Sequence, residues 1–462
     1  MSCLIIKNDG IGDLIIVSGI IAELSRIFDG KVDLITCEQN IEIAENIFGI
    51  RNHLYVSRDN LRFRFLNSIF PTVKGIDEDT IKFLQLTKYQ YVICLRRYIR
   101  ESTLILMKSA IAEHKYCAWQ FPTNTSFDIA KMSSNGWIHY SGPLHIVSEI
   151  NYYQGFIEEI FQTKINPYPR LICADAITQS PVPKNVGICI GGNSSKYSIE
   201  YWIEILTKLN QDNWHIFLFG GVEVTQLAAQ ITQSVNIEKN LVGSLTLIDS
   251  IPYLERISFL IGNDTGFTHF ASLIVPKCLI ILGGGTFSRF FPWTNTPNQY
   301  VIYHSLDCFD CDWRCRHKTK QCLDLIQSSE VIRYFYDIIN SDKIEKIRNL
   351  NPVEIQYQVG YMRLKEKSLR LRIKPHGHID NNIDNFAQSR NYAKRINIGI
   401  KEKYLLILRI FISSMSSMPS RIFRFIMIKI IRILEIFLSK KTVDQIITSI
   451  KKIIHTNLKP LP

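Results

Sequence analysis

The tetrapeptide Asn263-Asp264-Thr265-Gly266, followed by a helix-like run that contains His269, puts backbone N–H groups, a carboxylate and an imidazole within one short stretch. After a strand and before a helix, such a turn gathers unpaired N–H groups and the positive helix end at one point, which suits a pyrophosphate. Asp264 cannot hold phosphate itself, but it can orient the loop or accept a ribose or sugar hydroxyl. A capped turn beside a core histidine explains the same residues without a ligand. Gly191-Gly192-Asn193-Ser194-Ser195-Lys196 is a second loop of this kind. Its small residues let backbone approach an anion, and Lys196 brings charge to a leaving diphosphate. The bland alternative is a glycine turn with an exposed lysine, yet two anion-suited loops in one half are harder to dismiss than either alone.

Asp13 follows Gly10-Ile11-Gly12 at the start of a helical run. The third glycine of a dinucleotide fingerprint is missing, which disfavours a nicotinamide oxidoreductase. Taken locally, Asp13 is either an ordinary N-terminal helix charge or a carboxylate held at a cleft. Cys308, Cys311, Cys315 and Cys322 are spaced Cys-x2-Cys-x3-Cys-x6-Cys. Clustered thiols point to a structural metal, zinc first and iron second, with free thiols as the alternative.

These residues need a frame. Cys3–Lys7, Val32–Cys37 and Tyr91–Leu95 read as strands, and Leu14–Phe28 has helical spacing. Beyond a weakly structured stretch with Pro181 and Pro183 the pattern restarts. Val186–Ile190, Trp214–Phe219, Ile257–Ile261 and Cys278–Leu282 read as strands, and Ser198–Asn210 as a helix facing inward through Ile199, Trp202, Ile203, Leu206 and Leu209. A helix starts near Glu223, and Ser329–Asn340 closes the unit. Alternating strands and helices predict an α/β architecture of two doubly wound halves, with ligands at the carboxyl ends of the strands. The expected divisions are 1–175, 185–345, a polar linker at 346–400 and a basic, apolar helical tail at 401–462.

At 462 residues, 46% hydrophobic and 21% charged, most of the chain is expected to fold as two domains plus extra material. The apolar run LIIVSGIIA at residues 14–22 lacks a basic flank and follows Asp9 and Asp13, so it reads as a buried helix and not as a secretion signal. Eleven cysteines do not read as a secreted disulfide framework, so a reducing cytosol is expected. From residue 361 onward 21 Lys and Arg face 6 Asp and Glu, a net +15, which against +12 for the whole chain leaves −3 on residues 1–360. In the tail Arg421, Arg424, Lys429 and Arg432 share one sector of a helical wheel, among Ile and Phe. A basic face beside a broad apolar one suits an anionic bilayer surface, or packing on the enzyme or another subunit. Its apolar density argues against nucleic acid.

The opening IIKNDGIGDLIIVSGIIAEL, the middle GGNSSKYSIEYWIEIL and the run NDTGFTHFASL with GGGT after it together resemble glycosyltransferase family 9, the bacterial ADP-heptose:lipopolysaccharide heptosyltransferases and their relatives. The resemblance covers residues 1 to about 345 in the family's order. It implies a GT-B-type fold of two Rossmann-like domains facing a cleft, with the acceptor on the first domain and a nucleotide-diphosphate sugar, ADP-heptose foremost, on the second. It implies inversion at the anomeric centre and no catalytic metal or other cofactor. Asp13 stands at the family's catalytic aspartate and Lys7 where the family often has arginine, on the acceptor side. Lys196 matches the lysine that meets the donor phosphates, and Ser194 and Ser195 lie in its hydroxyl-bearing loop. Glu223 falls at the acidic residue that meets the nucleoside, and Asp264, Thr265, Gly266 and His269 match the donor-site turn and helix. Gly284-Gly285-Thr286 departs from the Gly-Pro-Thr common in relatives.

The expectation is therefore a peripheral enzyme at the cytoplasmic face of the inner membrane, moving a sugar to lipopolysaccharide core or another lipid-linked glycan. Two other readings stay open: the same fold with a different nucleotide sugar or a protein acceptor, and a catalytically silent binder of sugar nucleotides.

Overall fold

The computed structural model describes residues 2–57, 76–97, 99–118, 135–140, 148–177, 179–192, 196–293, 296–306, 308, 309, 311, 313, 315–341 and 344–351. Ser194, Ser195 and the tail at 401–462 lie outside the described residues.

Short apolar runs become central strands. β1 (Cys3–Lys7) is buried at every position, as an interior parallel strand covered on both faces must be. It is flanked by β2 (Val32–Cys37) and β4 (Lys88–Cys94), both parallel to it. With β3 (Ile50–Val56), β5 (Ile111–Cys117) and β6 (Trp137–His139) they form a sheet of order β3-β2-β1-β4-β5-β6. The second sheet holds β7 (Val182–Cys189), β8 (His215–Phe219), β9 (Lys239–Asn240), β10 (Ile257–Asn263), β11 (Cys278–Ile281), β12 (Gln299–Tyr303) and β13 (Ile347–Asn349), in the order β13-β12-β11-β10-β7-β8-β9. All pairings are parallel. Each sheet reverses its strand order beside its first strand, at β1/β4 and at β7/β10. Ligands in open α/β sheets bind at such points. This is the GT-B architecture, two Rossmann-like halves.

Local differences from the sequence reading have physical causes. β7 starts at Val182, inside the stretch read as unstructured; Pro183 sits where the pairing with β10 shifts register, a position that spares a missing N–H. β13 lies within the stretch read as linker and pairs with β12.

Helix α1 (Ile11–Ile27) is buried from Leu14 to Ser25, which is why its sequence is apolar on all sides. Gly19 is required there, since a Cβ would fall 1.9 Å from the Tyr168 carbonyl oxygen of the segment joining the halves. α2 (Glu101–Ser109) and α3 (Glu149–Phe161) complete the first half's site. In the second half α4 (Ile199–Gln211) buries Trp202, Ile205, Leu206 and Leu209; Ile205 takes the inward place expected of Ile203, which is half-buried. α5 (Gly266–Ala271) follows β10, and α6 (Ser328–Asn340) packs on α4. One core cluster runs through both halves, joining Leu14, Val17 and Leu24 of α1 to Phe270, Ala271 and Val275. Among the described residues no helix is long and apolar enough to cross a membrane.

Candidate functional site

At the first switch point the loop after β1 is held from both sides. Thr36 donates to the Lys7 carbonyl at 3.0 Å, and the Asn40 amide donates to the Asp9 carbonyl at 3.0 Å. From the β4 side, Arg96 donates to the Asn8 side-chain oxygen at 3.0 Å and to the Asn8 carbonyl, while Thr103 of α2 donates to the same side-chain oxygen at 2.9 Å. Such cross-bracing fixes a loop whose backbone would otherwise be free to move.

Charge is concentrated here. The buried Lys7 ammonium lies 3.0 Å from Asp9 Oδ2 and 5.1 Å from the Tyr153 ring centroid. Arg96 Nε is 3.8 Å from the same Asp9 oxygen, and Asp9 Oδ1 is buried with no hydrogen-bond partner among the described residues. Asp13 accepts from the Gly10 N–H at 3.2 Å, closing the start of α1. Burial raises the Asp13 pKa above the ordinary carboxylate range, and Asp9 and Glu149 push the same way, against Lys7 and Arg289.

Glu149, the first residue of α3, takes Arg97 Nη1 at 3.2 Å and Arg289 Nη2 at 2.8 Å and Nε at 3.2 Å, all on one carboxylate oxygen. Its backbone N–H donates to the Arg289 carbonyl at 2.9 Å. Burial alone would raise its pKa, but Arg97, Arg289 and Lys7 together lower it to about 2. Arg289 belongs to the second half, so this ion cluster crosses between the two.

At the second switch point the Asn263 amide donates to the Gly191 carbonyl at 3.1 Å, joining the loops after β7 and β10. Thr265 caps α5, accepting the Thr268 N–H at 3.2 Å. α5 is only six residues long, so it offers N–H groups more than the macrodipole expected from a longer helix. Asp264 Oδ1 lies 3.4 Å from His269 Nε2, and Thr286 donates to Asp264 Oδ2 at 3.4 Å. Trp293 Nε1 donates to His269 Nδ1 at 3.2 Å. An indole nitrogen only donates, so Nδ1 is unprotonated and the imidazole proton sits on Nε2, toward Asp264. Phe291 stacks on the same ring at 3.9 Å between centroids.

The halves meet at these two points. A Cβ on Gly12 would fall 2.9 Å from His269 Cδ2, and one on Gly266 would fall 3.3 Å from the Gly12 nitrogen. The loop that carries Asp13 is thereby brought against Gly266 and His269. Lys196 and Glu223 are exposed, and their loops follow the adjacent strands β7 and β8. Asp9, Arg96, Arg97, Glu149 and Arg289 were not singled out in the sequence. Asp9, two residues from Lys7 in the loop that leads to Asp13, is the one whose position could have flagged it.

Burial raises the thiol pKa values of Cys308, Cys311 and Cys322, each also feeling another cysteine of the cluster. Among the described residues no three His, Cys, Asp or Glu side chains are grouped so as to hold a metal ion.

Residues 174–314 match the model of glycosyltransferase family 9 (heptosyltransferase). No curated protein matches the sequence. Among solved structures, the glycosyl transferase family 9 protein from Veillonella parvula DSM 2008 is similar at 13% identity and a TM-score of 0.56, over 74% of this chain and 98% of that one. E. coli heptosyltransferase WaaC with ADP is similar at 15% identity and a TM-score of 0.51, over 74% and 98%. E. coli ADP-heptose lps heptosyltransferase II is similar at 13% identity and a TM-score of 0.51, over 74% and 100%.

Proposed function

We infer that this chain, a glycosyltransferase with a family 9 domain over residues 174–314, transfers a heptose from ADP-heptose to a hydroxyl of a lipid-linked glycan, with inversion. The observation that carries the reading is the meeting of the Asp13 loop with the Asp264–His269 turn across Gly12 and Gly266. Two sites that serve one reaction must share one space. The choice of ADP-heptose is supported by the likeness to WaaC with ADP and to heptosyltransferase II.

The chemistry follows from the residues. A sugar hydroxyl is a weak nucleophile, and Asp13 takes its proton as the oxygen attacks the anomeric carbon. A positioned carboxylate contributes roughly 10²–10⁴-fold in this way. The bond from that carbon to the diphosphate oxygen breaks on the opposite face. Lys196 and the N–H groups of the Gly191-Gly192 loop receive the charge that leaves with the diphosphate. Asp264, with the Nε2–H of His269 turned toward it, presents a carboxylate acceptor to the hydroxyls of the sugar. Glu223, at the end of the next strand, meets the nucleoside.

The tail at 401–462 supplies attachment to an anionic membrane, which sets the protein at the cytoplasmic face of the inner membrane in a bacterial cell. Calorimetric titration with ADP-sugars and UDP-sugars, followed by turnover on lipid-linked acceptors, tests the reading. Binding of a UDP-sugar in preference to every ADP-sugar would replace the donor; binding without any turnover would make the protein a silent sugar-nucleotide binder.

A further inference from the structure

The transfer as just described uses the Nε2 side of His269 and leaves the group on its Nδ1 side without a part. Trp293, in the loop after β11, donates its indole N–H to His269 Nδ1 at 3.2 Å, where both side chains are buried. The two rings are within 5° of parallel, with centroids 5.9 Å apart, a geometry that suits an N–H bond and a lone pair each lying in the plane of its own ring. Phe291 lies over the imidazole face at 3.9 Å and fixes the ring's plane, but a phenyl ring has no N–H to offer Nδ1. Trp293 is itself held in place. Its backbone N–H donates to Gln299 Oε1 at 2.8 Å, its carbonyl accepts the Thr296 hydroxyl at 3.0 Å, and Tyr168, of the segment joining the halves, meets its ring edge to face.

We propose that Trp293 is a positioning residue for the donor sugar: its indole N–H holds His269 neutral with the proton on Nε2, and so keeps the imidazole from cancelling the charge that Asp264 presents to the sugar. This rests on the reading of Asp264 as the acceptor of the sugar's hydroxyls.

An indole nitrogen has a proton to give and no lone pair to accept one. A proton on Nδ1 would therefore set two N–H groups against each other in a buried place and leave both unsatisfied. Without the indole the balance turns. Nδ1 loses its donor, and a proton placed there makes an imidazolium that pairs with Asp264 at 3.4 Å. The charged groups around the ring come from three sides. Its own turn brings Asp264, whose other oxygen takes the Thr286 hydroxyl. The loop after β11 brings Arg289, whose guanidinium lies over Phe290, a neighbour of the imidazole. The first half brings Gly12 against the Cδ2–Nε2 edge, with Asp13 next in sequence and, in the same loop, Asp9 paired with Lys7 and near Arg96. The contact on Nδ1 is the one from Trp293.

The consequence falls on selectivity. A carboxylate repels a diphosphate and accepts strongly from hydroxyls, so it favours a sugar nucleotide over the bare nucleotide only while it keeps its charge. An imidazolium in the same place would draw the diphosphate, which both ligands carry, and would weaken Asp264 as an acceptor. Both changes lower the preference for the sugar.

The test compares the full chain with Trp293→Phe, which keeps a ring in place of the indole and removes the N–H; cooperative thermal unfolding checks that the variant folds. The ring nitrogens are read by ¹⁵N NMR of histidine-labelled protein at neutral and mildly acid pH, with His269 assigned by the loss of its signals in His269→Gln. Calorimetry under the same conditions gives the affinities for ADP and for ADP-heptose. The parent should show Nδ1 without a proton at both pH values, and a preference for ADP-heptose over ADP that is the same at both. In Trp293→Phe, Nδ1 should gain a proton as the pH falls, and the preference should shrink by about three- to tenfold. Adding Trp293→Phe to His269→Gln, whose amide cannot take that proton, should bring no pH dependence. A merely structural role would weaken both ligands alike at every pH and leave Nδ1 unprotonated. A folded Trp293→Phe protein whose Nδ1 stays unprotonated, or whose preference holds while Nδ1 gains its proton, overturns the proposal. If Trp293→Phe does not fold, the parent decides: a proton on its Nδ1 at either pH overturns the proposal, and none at both upholds it. A parent without any preference for ADP-heptose would instead sink the reading of the donor, and the Nδ1 signals of Trp293→Phe would still judge Trp293.

Discussion

The two halves share a strand order and use it differently. At the β1/β4 switch point the first half gathers Lys7, Asp9, Asp13, Arg96 and Glu149 in and around a loop braced on both sides. At the β7/β10 switch point the second half presents glycines, hydroxyls and a single carboxylate–imidazole pair, with Lys196 and Glu223 out in solvent. Topology decides where a ligand goes; the side chains decide what is done to it. A base must have its proton affinity set in advance, which takes fixed charges in a place of low dielectric. A diphosphate arrives with its own charge, and is met well by backbone N–H groups and by a cation free to move.

The comparison predicts that damage to the first half abolishes turnover while damage to the second weakens binding. The largest effect belongs to Asp13→Asn, which should cut turnover by roughly 10²–10⁴-fold with donor affinity unchanged. Because burial and neighbouring carboxylates raise the Asp13 pKa, its ionised form costs stability at neutral pH, and the variant should melt no lower than the parent. A transfer assay and a melting curve check both, and near-parental turnover breaks the division of labour.

Lys196→Ala and Asp264→Ala come next. Hydrogen bonds to charged groups contribute about 1.5–3 kcal/mol, so nucleotide-sugar affinity should fall by about ten- to a hundredfold. Calorimetry on both variants is the measurement, and parental affinity in both would remove the donor site from these loops.

A smaller and purely structural effect follows from Glu149. Its pKa falls from an ordinary 4.5 to about 2 on folding, so the stability it contributes is complete above pH 4.5 and is lost as the pH drops toward 2. Acid unfolding of the parent should show this loss, and Glu149→Gln should be flatter across that window. Equal slopes would mean the cluster does not hold the halves together.

The same contrast explains how much could be read beforehand. β1 and β10 are legible as apolar runs because central parallel strands are buried on both faces. The second half's site is legible because its chemistry is local: Gly191 and Asp264 sit in short loops between a strand and a helix, and His269 lies in the helix that follows Asp264. The first half's site is hardly legible, since Glu149 and Arg289 lie 140 residues apart and meet only through the packing of two domains. Nor does period alone say which apolar residue of a helix is deepest: Ile205 and Ile203 of α4 differ by the width of the buried sector.

The smallest effect on transfer is expected from the segment that belongs to neither half. Deleting residues 402–462 should release the protein from anionic membranes and leave transfer to a soluble acceptor fragment largely intact. The proposed catalytic and donor residues all lie before residue 290, and residues 1–360 carry net −3, so the part assigned to the chemistry has no net positive charge to draw it to an anionic surface. Each basic residue near such a surface contributes about 1 kcal/mol, falling off within a Debye length, so Arg421, Arg424, Lys429 and Arg432 acting together are enough to retain the chain there. Burial of neighbouring Ile and Phe side chains adds a part that salt does not screen. Flotation of full-length and truncated protein on vesicles with anionic lipid, at low and high salt, separates the contributions: binding of the full chain should weaken with salt without vanishing. A truncated protein that floats as well as the parent would make the tail a packing or assembly element, and would move the search for a membrane contact back to the two domains.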